Sequence, residues 1–255
     1  MNVRRVDYDK VAPVYDRRYR DGGSPEIAAL VRAFGATAAG RPVLEVGCGT
    51  GRWLSEAHRA GARAVGLDPS PAMLARARAL VPAASLVRGR AEALPFRDRL
   101  FGAVFCIFVV HHLDDAPRFV AEAARLLDPG GVLGVLALAP HDGQDRWYVY
   151  DFFDGVEAAD RARYPTTAAI AGWMEAAGLS GVRTEMATRF TRRAEGQAVF
   201  EDPILNREGT CQLSLLTDRE FERGMERIRA AARRPEATFL TDLRIFATSG
   251  RKPEV

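Results

Sequence analysis

Lysine is almost missing from this chain: Lys10 and Lys252 are the two lysines, and arginine supplies the rest of the 36 basic side chains. Acidic residues number 33 and are interspersed with them, leaving a formal net charge of +3. No basic cluster of the kind that tracks a nucleic-acid backbone is present, so no nucleic-acid partner is expected. Cysteine is scarce too. Cys48, Cys106 and Cys211 are odd in number and irregularly spaced, which excludes a disulfide framework and fits a reducing compartment. No run approaches the roughly eighteen apolar residues of a membrane span, and the first residues lack the apolar centre of a secretory signal. A cytoplasmic protein without a membrane span is the expectation. Internal repeats and low-complexity tracts are likewise absent.

What is present is a regular alternation over the first part of the chain. "VLEV" (Val43 to Val46), "ARAVGLD" ending at Asp68, "ASLVRG", "FGAVFCIFVV" and "VLGVLALAP" are short apolar runs bounded by Gly, Pro or Asp. Between them lie helical patterns: "RWLSEAHRA", "SPAMLARARAL" with Ser70 as N-cap and Pro71 at the first helical position, and "DDAPRFVAEAARLL" closed by Pro129, Gly130 and Gly131. Strands that are apolar at nearly every position are covered on both faces, as in an open parallel α/β sheet. With 255 residues and 47% hydrophobic content, one domain is expected: a helical cover over 1–40, a core over 41–140, an elaboration over 141–235 and a final edge strand over 236–250.

The stretch "VLEVGCGTGR" (Val43 to Arg52) places Gly47, Gly49 and Gly51 where the first strand turns into a helix. Glycines there admit positive φ and let a ligand approach the backbone. A strand-to-helix turn needs one glycine in any case, so position and neighbours decide. The dinucleotide fingerprint is G-x-G-x-x-G, whereas here the spacing is G-x-G-x-G and Arg52 stands where the last glycine belongs. Glu45 at the lip of the turn would repel a diphosphate but suit a positively charged amino group or sulfonium. Asp68, ending the second strand, is placed to accept bonds from a ribose hydroxyl pair; its plainer alternative is an Asp-Pro turn or a helix cap. A ribose, a cationic amino-acid end and no phosphate describe S-adenosylmethionine.

"VLEVGCGTGR", "GLDPSPAML", "GRAEALPF", "FGAVFCIFVVHHLDD" and "ARLLDPGGVL" stand in the order and spacing of the class I S-adenosylmethionine-dependent methyltransferases, and "YDKVAPVYDRRY" near the start fits as well. The chain most resembles the small-molecule branch that includes the ubiquinone/menaquinone-biosynthesis methyltransferases. The resemblance covers roughly residues 7 to 140. It implies a Rossmann-like, seven-stranded, mostly parallel sheet with helices on both faces, an antiparallel last strand, and a lid inserted after the fifth strand. It implies S-adenosylmethionine as cofactor and S-adenosylhomocysteine as product. Glu45, Gly47, Cys48 and Gly49 would lie along the methionine end, Asp68 would hold the ribose, and Pro69 and Met73 would contact adenosine. Arg90 stands where the family usually has an aspartate for the adenine amino group, which passes that contact to the Ala91 backbone or to Glu92. Phe105, Cys106 and Ile107 would face the methionine carbons, and Tyr15 would cover the carboxylate. Gly102 replaces an acid common near the start of the fourth strand.

Methyl transfer from a sulfonium is an in-line displacement, so alignment and exclusion of water supply much of the rate. A base is needed only where the acceptor must lose a proton. His111 and His112, at the end of the fourth strand, are the candidates, with loop capping as their structural alternative; His141 and Asp142 form a second pair. No metal site is expected, because adjacent side chains such as His111 and His112 rarely converge on one ion. Trp147, Tyr148, Tyr150, Phe152 and Phe153 in "DRWYVYDFF" are either acceptor wall or packed core. The arginines from Arg189 to Arg234 alternate with acids and are expected on a solvated helix face. A small-molecule acceptor with an O, N or C nucleophile is the leading expectation, on a monomer or homodimer. RNA or tRNA methylation and non-catalytic cofactor binding are the alternatives.

Overall fold

A computed structural model describes residues 6–19 and 23–254. In chain order the elements are α1 (Tyr8–Val11), α2 (Pro25–Thr37), β1 (Val43–Val46), α3 (Arg52–Arg59), β2 (Ala64–Asp68), α4 (Pro71–Leu80), β3 (Ser85–Arg88), β4 (Phe101–Ile107), α5 (Ala116–Leu126) and β5 (Leu127–Leu138). There follow β6 (Arg146–Trp147), α6 (Tyr148–Phe152), α7 (Val156–Arg163), α8 (Thr167–Ala176), β7 (Ser180–Glu195), α9 (Cys211–Ser214), α10 (Asp218–Ala231) and β8 (Thr238–Arg251). The chain divides into two compact units: a sheet unit of residues 24–138, 165–188 and 245–255, and an aromatic unit of residues 1–23, 139–164 and 189–244.

In the sheet unit the strand order is β3-β2-β1-β4-β5-β8, with β7 also paired to β8. β1, β2, β3, β4 and β5 pair in parallel, and β8 runs antiparallel to β5. The mostly parallel sheet with an antiparallel last strand therefore agrees with the expected fold class; seven strands are those anticipated and the two-residue β6 is an addition. All four residues of β1 and all seven of β4 are buried, which is why their sequences read as unbroken apolar runs. The chain leaves β1 toward β2 and β3 and then returns to pair β4 on the other side of β1. Ligands in such sheets sit beyond the strand ends at this reversal.

Two features differ from expectation. The Asp-Pro-Gly-Gly stretch, read as a helix stop, already belongs to β5: Leu127 pairs with Phe101, and the register shifts before Ala103 meets Val132. Between these pairs Gly102 lies so close to Ala38 that a Cβ would sit 2.4 Å from its carbonyl oxygen, so no acidic side chain fits there. The closing strand β8 is not an edge, as its alternation suggested. It pairs with β5 and β7, and its polar residues bond across the ladder instead of to water: Thr248 Oγ1 lies 2.9 Å from Thr184 Oγ1. The largely exposed β7 takes the edge position. One of the two lysines is structural: Lys252 Nζ donates to the carbonyls of Ala124 and Leu127, closing the C-terminus of α5.

The aromatic unit is held by stacked rings. Tyr148 and Phe152 pack on Phe239, and Phe153 stacks on Phe221 of α10, where Gly224 leaves the room. Asp160, fully buried, accepts bonds from Tyr150, Gln212 and Arg163. β6 pairs antiparallel with Thr241 and Asp242 of β8.

Candidate functional site

The turn after β1 is fixed from both sides. Gly47 and Cys48 donate their N–H groups to the Leu67 carbonyl at 2.7 and 3.0 Å, and the Gly49 N–H donates to Asp68 Oδ2 at 2.9 Å. Gly47 has φ +72°, and a Cβ there would sit 2.4 Å from Val109 Cγ2. Gly49 has φ +52° and the opposite surroundings: a Cβ would meet nothing within 4 Å. One glycine is thus demanded by the neighbouring loop, and the other leaves its backbone open to approach.

Glu45 is not at the lip of this turn. It is 1% exposed, because β1 is paired on both sides and covered on both faces. Its carboxylate accepts from the Leu54 N–H. The helix α3 begins at Gly51, which has no side chain to cap it, so Glu45 supplies from the strand the bond a capping residue would make. The other oxygen, Oε2, is buried without a partner. Burial first, and the negative charge of Asp68 second, push the Glu45 carboxyl well above the usual carboxylate range; the Leu54 bond opposes them.

Asp68 serves the backbone on both sides: besides Gly49, its Oδ1 accepts from the Ser70 N–H at 2.9 Å, and it is 7% exposed. The Asp-turn expected as its plainer role is therefore present, and it holds the carboxylate toward the glycine turn. Ser70 caps α4 through the Met73 N–H, as its position predicted. Pro69 is exposed, whereas Met73 is packed inside. Cys48 and Cys106 are buried and their thiols are pushed up by desolvation, so both are inert small side chains. Phe105 stacks on Phe34.

Arg90 reaches away along the surface to Asp114 at 2.8 Å and to Glu92 at 3.5 Å, while Glu92 Oε1 accepts from the Asp114 N–H. Ala91 is buried between them. The rest of this loop is clamped by two α5 residues that sequence inspection passed over. Arg125 donates to the carbonyls of Phe96 and Leu94 and to Asp98, and Glu122 accepts from the Leu94 N–H. Their spacing as an acid and an arginine one turn apart was the available signal.

Beyond β4, Phe108 takes φ +57°, a conformation few large side chains adopt, and Val109 then fills the space left by Gly47. A single 3₁₀ turn, Val110–His112, follows. It carries His111, 6% exposed, and the half-buried His112, their rings 4.0 Å apart and tilted by 45°. The glycine turn, Asp68 and both histidines thus belong to one unit and one end of the sheet.

Other expected residues fall in the aromatic unit. Tyr15 opens a 3₁₀ turn (Tyr15–Tyr19), with the Arg18 guanidinium 4.0 Å over its ring. His141 Nε2 lies 2.8 Å from the Tyr164 carbonyl, which anchors the ring. Trp147, Tyr148 and Phe153 are buried, so packing accounts for most of the aromatic run. Arg189 and Arg192 sit on β7 instead of a solvated helix face; Arg189 makes a two-pronged pair with Asp242, and Arg192 pairs with Asp202. Among the described residues no helix is long and apolar enough to cross a membrane.

Comparison with known proteins gives a consistent picture. Residues 44–135 match the family described as "Methyltransferase domain". A phthiotriol/phenolphthiotriol dimycocerosates methyltransferase of Mycobacterium leprae is 40% identical over 114 residues, 43% of this chain and 42% of that protein. An uncharacterized methyltransferase of Synechocystis is 30% identical over 167 residues, 65% of this chain and 79% of that protein. The chain thus spans under half of the first relative and most of the second. Among solved structures, a Haemonchus contortus phosphoethanolamine N-methyltransferase, in complex with phosphomonomethylethanolamine and S-adenosylhomocysteine, superposes with a TM-score of 0.63. It is 17% identical and covers 96% of this chain and 57% of its own, a likeness of fold.

Proposed function

Since this chain belongs to the class I S-adenosylmethionine-dependent methyltransferases, we propose that it methylates a small-molecule acceptor at the end of the sheet formed by the glycine turn, Asp68 and the histidine turn. The observation that carries this reading is Glu45: a buried carboxylate with an unpartnered oxygen, set behind a turn whose backbone is open at Gly49. Such an acid disfavours phosphates and favours a cationic ligand. These residues therefore fit S-adenosylmethionine.

S-adenosylmethionine supplies, when bound, a methyl group activated by the positive sulfur that carries it, and leaves as S-adenosylhomocysteine. The chain's own groups do the rest. Gly47, Cys48 and Gly49 offer backbone to the methionine end, with Glu45 as countercharge and Cys106 as part of the apolar floor. Asp68, held by two backbone N–H bonds, is oriented to accept from ribose hydroxyls. Pro69, Met73, Ala91 and Glu92 bound the adenosine side, with Arg90 turned onto Asp114 and Glu92. His111 or His112 takes the acceptor's proton where the acceptor has one to lose. That similar proteins are named as a phthiotriol/phenolphthiotriol dimycocerosates methyltransferase and a phosphoethanolamine N-methyltransferase supports a small acceptor over a macromolecular one. The protein is proposed to act in the cytoplasm.

Calorimetric titration with S-adenosylhomocysteine is the first test. Saturable binding that weakens at least about tenfold in Asp68→Ala supports the site, about 1.4 kcal/mol in binding free energy. Equal affinity in both proteins refutes the ribose assignment.

A further inference from the structure

We propose that Trp147 and Thr241 form a seat for one uncharged oxygen, a hydroxyl or carbonyl, carried on an aromatic or similarly flat apolar ligand. The two residues are direct partners in the β6–β8 ladder, so their side chains project from the same face. They are 4% and 1% exposed, and Trp147 Nε1 and Thr241 Oγ1 are both buried without a hydrogen-bond partner. One unfilled polar atom is costly inside a protein; two side by side mark a place made to be filled.

The chemistry of the pair limits what fills it. An indole N–H only donates, and a threonine hydroxyl donates or accepts. A single oxygen that accepts from Trp147 and exchanges one bond with Thr241 satisfies both. The surroundings are aromatic. Tyr150 meets the Trp147 ring edge-on at 5.1 Å, and Phe239, two residues before Thr241 on the same face, packs against Tyr148 and Phe152. Elsewhere in this unit Tyr150 and Arg163 bond to Asp160, Tyr148 and Arg192 to Asp202, and Arg189 to Asp242. Neither Trp147 nor Thr241 carries a charge, so the pair suits an uncharged oxygen. The five-aromatic run thus divides: Tyr148, Phe152 and Phe153 spend themselves on packing, and Trp147 keeps a donor in reserve.

The seat belongs to the aromatic unit by itself, and its ligand is tested independently of the methyltransferase reading. The test uses 2-naphthol as probe and naphthalene, which lacks only the oxygen, as control, in equilibrium dialysis with the full chain. Wild type should hold 2-naphthol about tenfold more tightly than naphthalene, while Thr241→Val and Trp147→Phe bring the two ligands within about twofold. The Thr241→Val melting temperature should stay level or rise, since an unpartnered hydroxyl has been removed. Equal binding of both probes by wild type, or a preference that survives both substitutions, overturns the proposal. A melting temperature that falls without any probe preference means a resident water only, and also overturns it. Parallel titration with S-adenosylhomocysteine separates the two ideas. Cofactor binding without a naphthol preference refutes the seat alone; a naphthol preference without cofactor binding supports the seat and refutes the cofactor site.

Discussion

Replacing Glu45 by glutamine should make the protein more stable at neutral pH while weakening its hold on the cofactor. The carboxyl is buried, faces the charge of Asp68, and has one oxygen without a partner, so its pKa in the folded state is raised well above the ordinary value. A carboxyl shifted upward binds its proton in the native state over a range where the unfolded chain has released it. Its stabilising contribution is complete below the unfolded pKa, near 4.3, and is lost as pH rises toward the folded value. Within that window wild type loses about 1.4 kcal/mol per pH unit from this group, and Glu45→Gln loses none. Glutamine keeps an oxygen for the Leu54 N–H, so α3 retains its cap. Urea denaturation at pH 5, 6 and 7 should show the stability difference moving in favour of the variant as pH rises. Parallel pH profiles, or a variant that is less stable at pH 7, would refute a strained, proton-holding Glu45. In the same samples the variant should bind S-adenosylmethionine more weakly, because an amide, unlike the Glu45 carboxyl, has no proton to release when a cation arrives.

Three further outcomes follow from the same geometry. Asp68→Ala removes the acceptor of two backbone N–H bonds and should cost about 2 to 4 kcal/mol in urea denaturation as well as cofactor affinity; loss of affinity without loss of stability would mean the turn does not depend on it. Gly47→Ala forces a side chain into positive φ and against Val109, and should cost at least about 2 kcal/mol, with part recovered in the double variant carrying Val109→Ala. Failure of that recovery would place the cost in backbone strain alone. His111→Ala or His112→Ala should lower the methyl-transfer rate while leaving S-adenosylhomocysteine affinity within about twofold, a rate effect without a binding effect; full turnover in both would remove the base from the mechanism.

Much of the sheet was legible because β1 and β4 are buried on both faces and their sequences carry no polar break. The glycine turn and Asp68 were legible for a related reason: the ends of parallel strands are where a backbone without side chains has a use. The rest depends on partners distant in sequence. The Asp-Pro-Gly-Gly stretch looks like a helix stop until Leu127 is seen to pair with Phe101. The polar residues of β8 look solvent-facing until Asp242 and Thr248 are seen bonded to Arg189 and Thr184. Glu45 looked like the rim of a pocket because sequence order places it beside the glycines, while pairing on both sides of β1 buries it. Arg125 clamps a loop some thirty positions away; its one-turn spacing from Glu122 marks an ion pair but not the loop that the pair holds. The two compact units are each assembled from separate stretches of chain, and composition does not change where they meet along the sequence.

As proposed, the chain transfers a methyl group to a small molecule. Incubating it with methyl-labelled S-adenosylmethionine and a fractionated cell extract tests this most directly. Label is expected in solvent-extractable small products, and is lost in Asp68→Ala. Label recovered in nucleic acid, or no transfer despite saturating cofactor in every fraction, would contradict it.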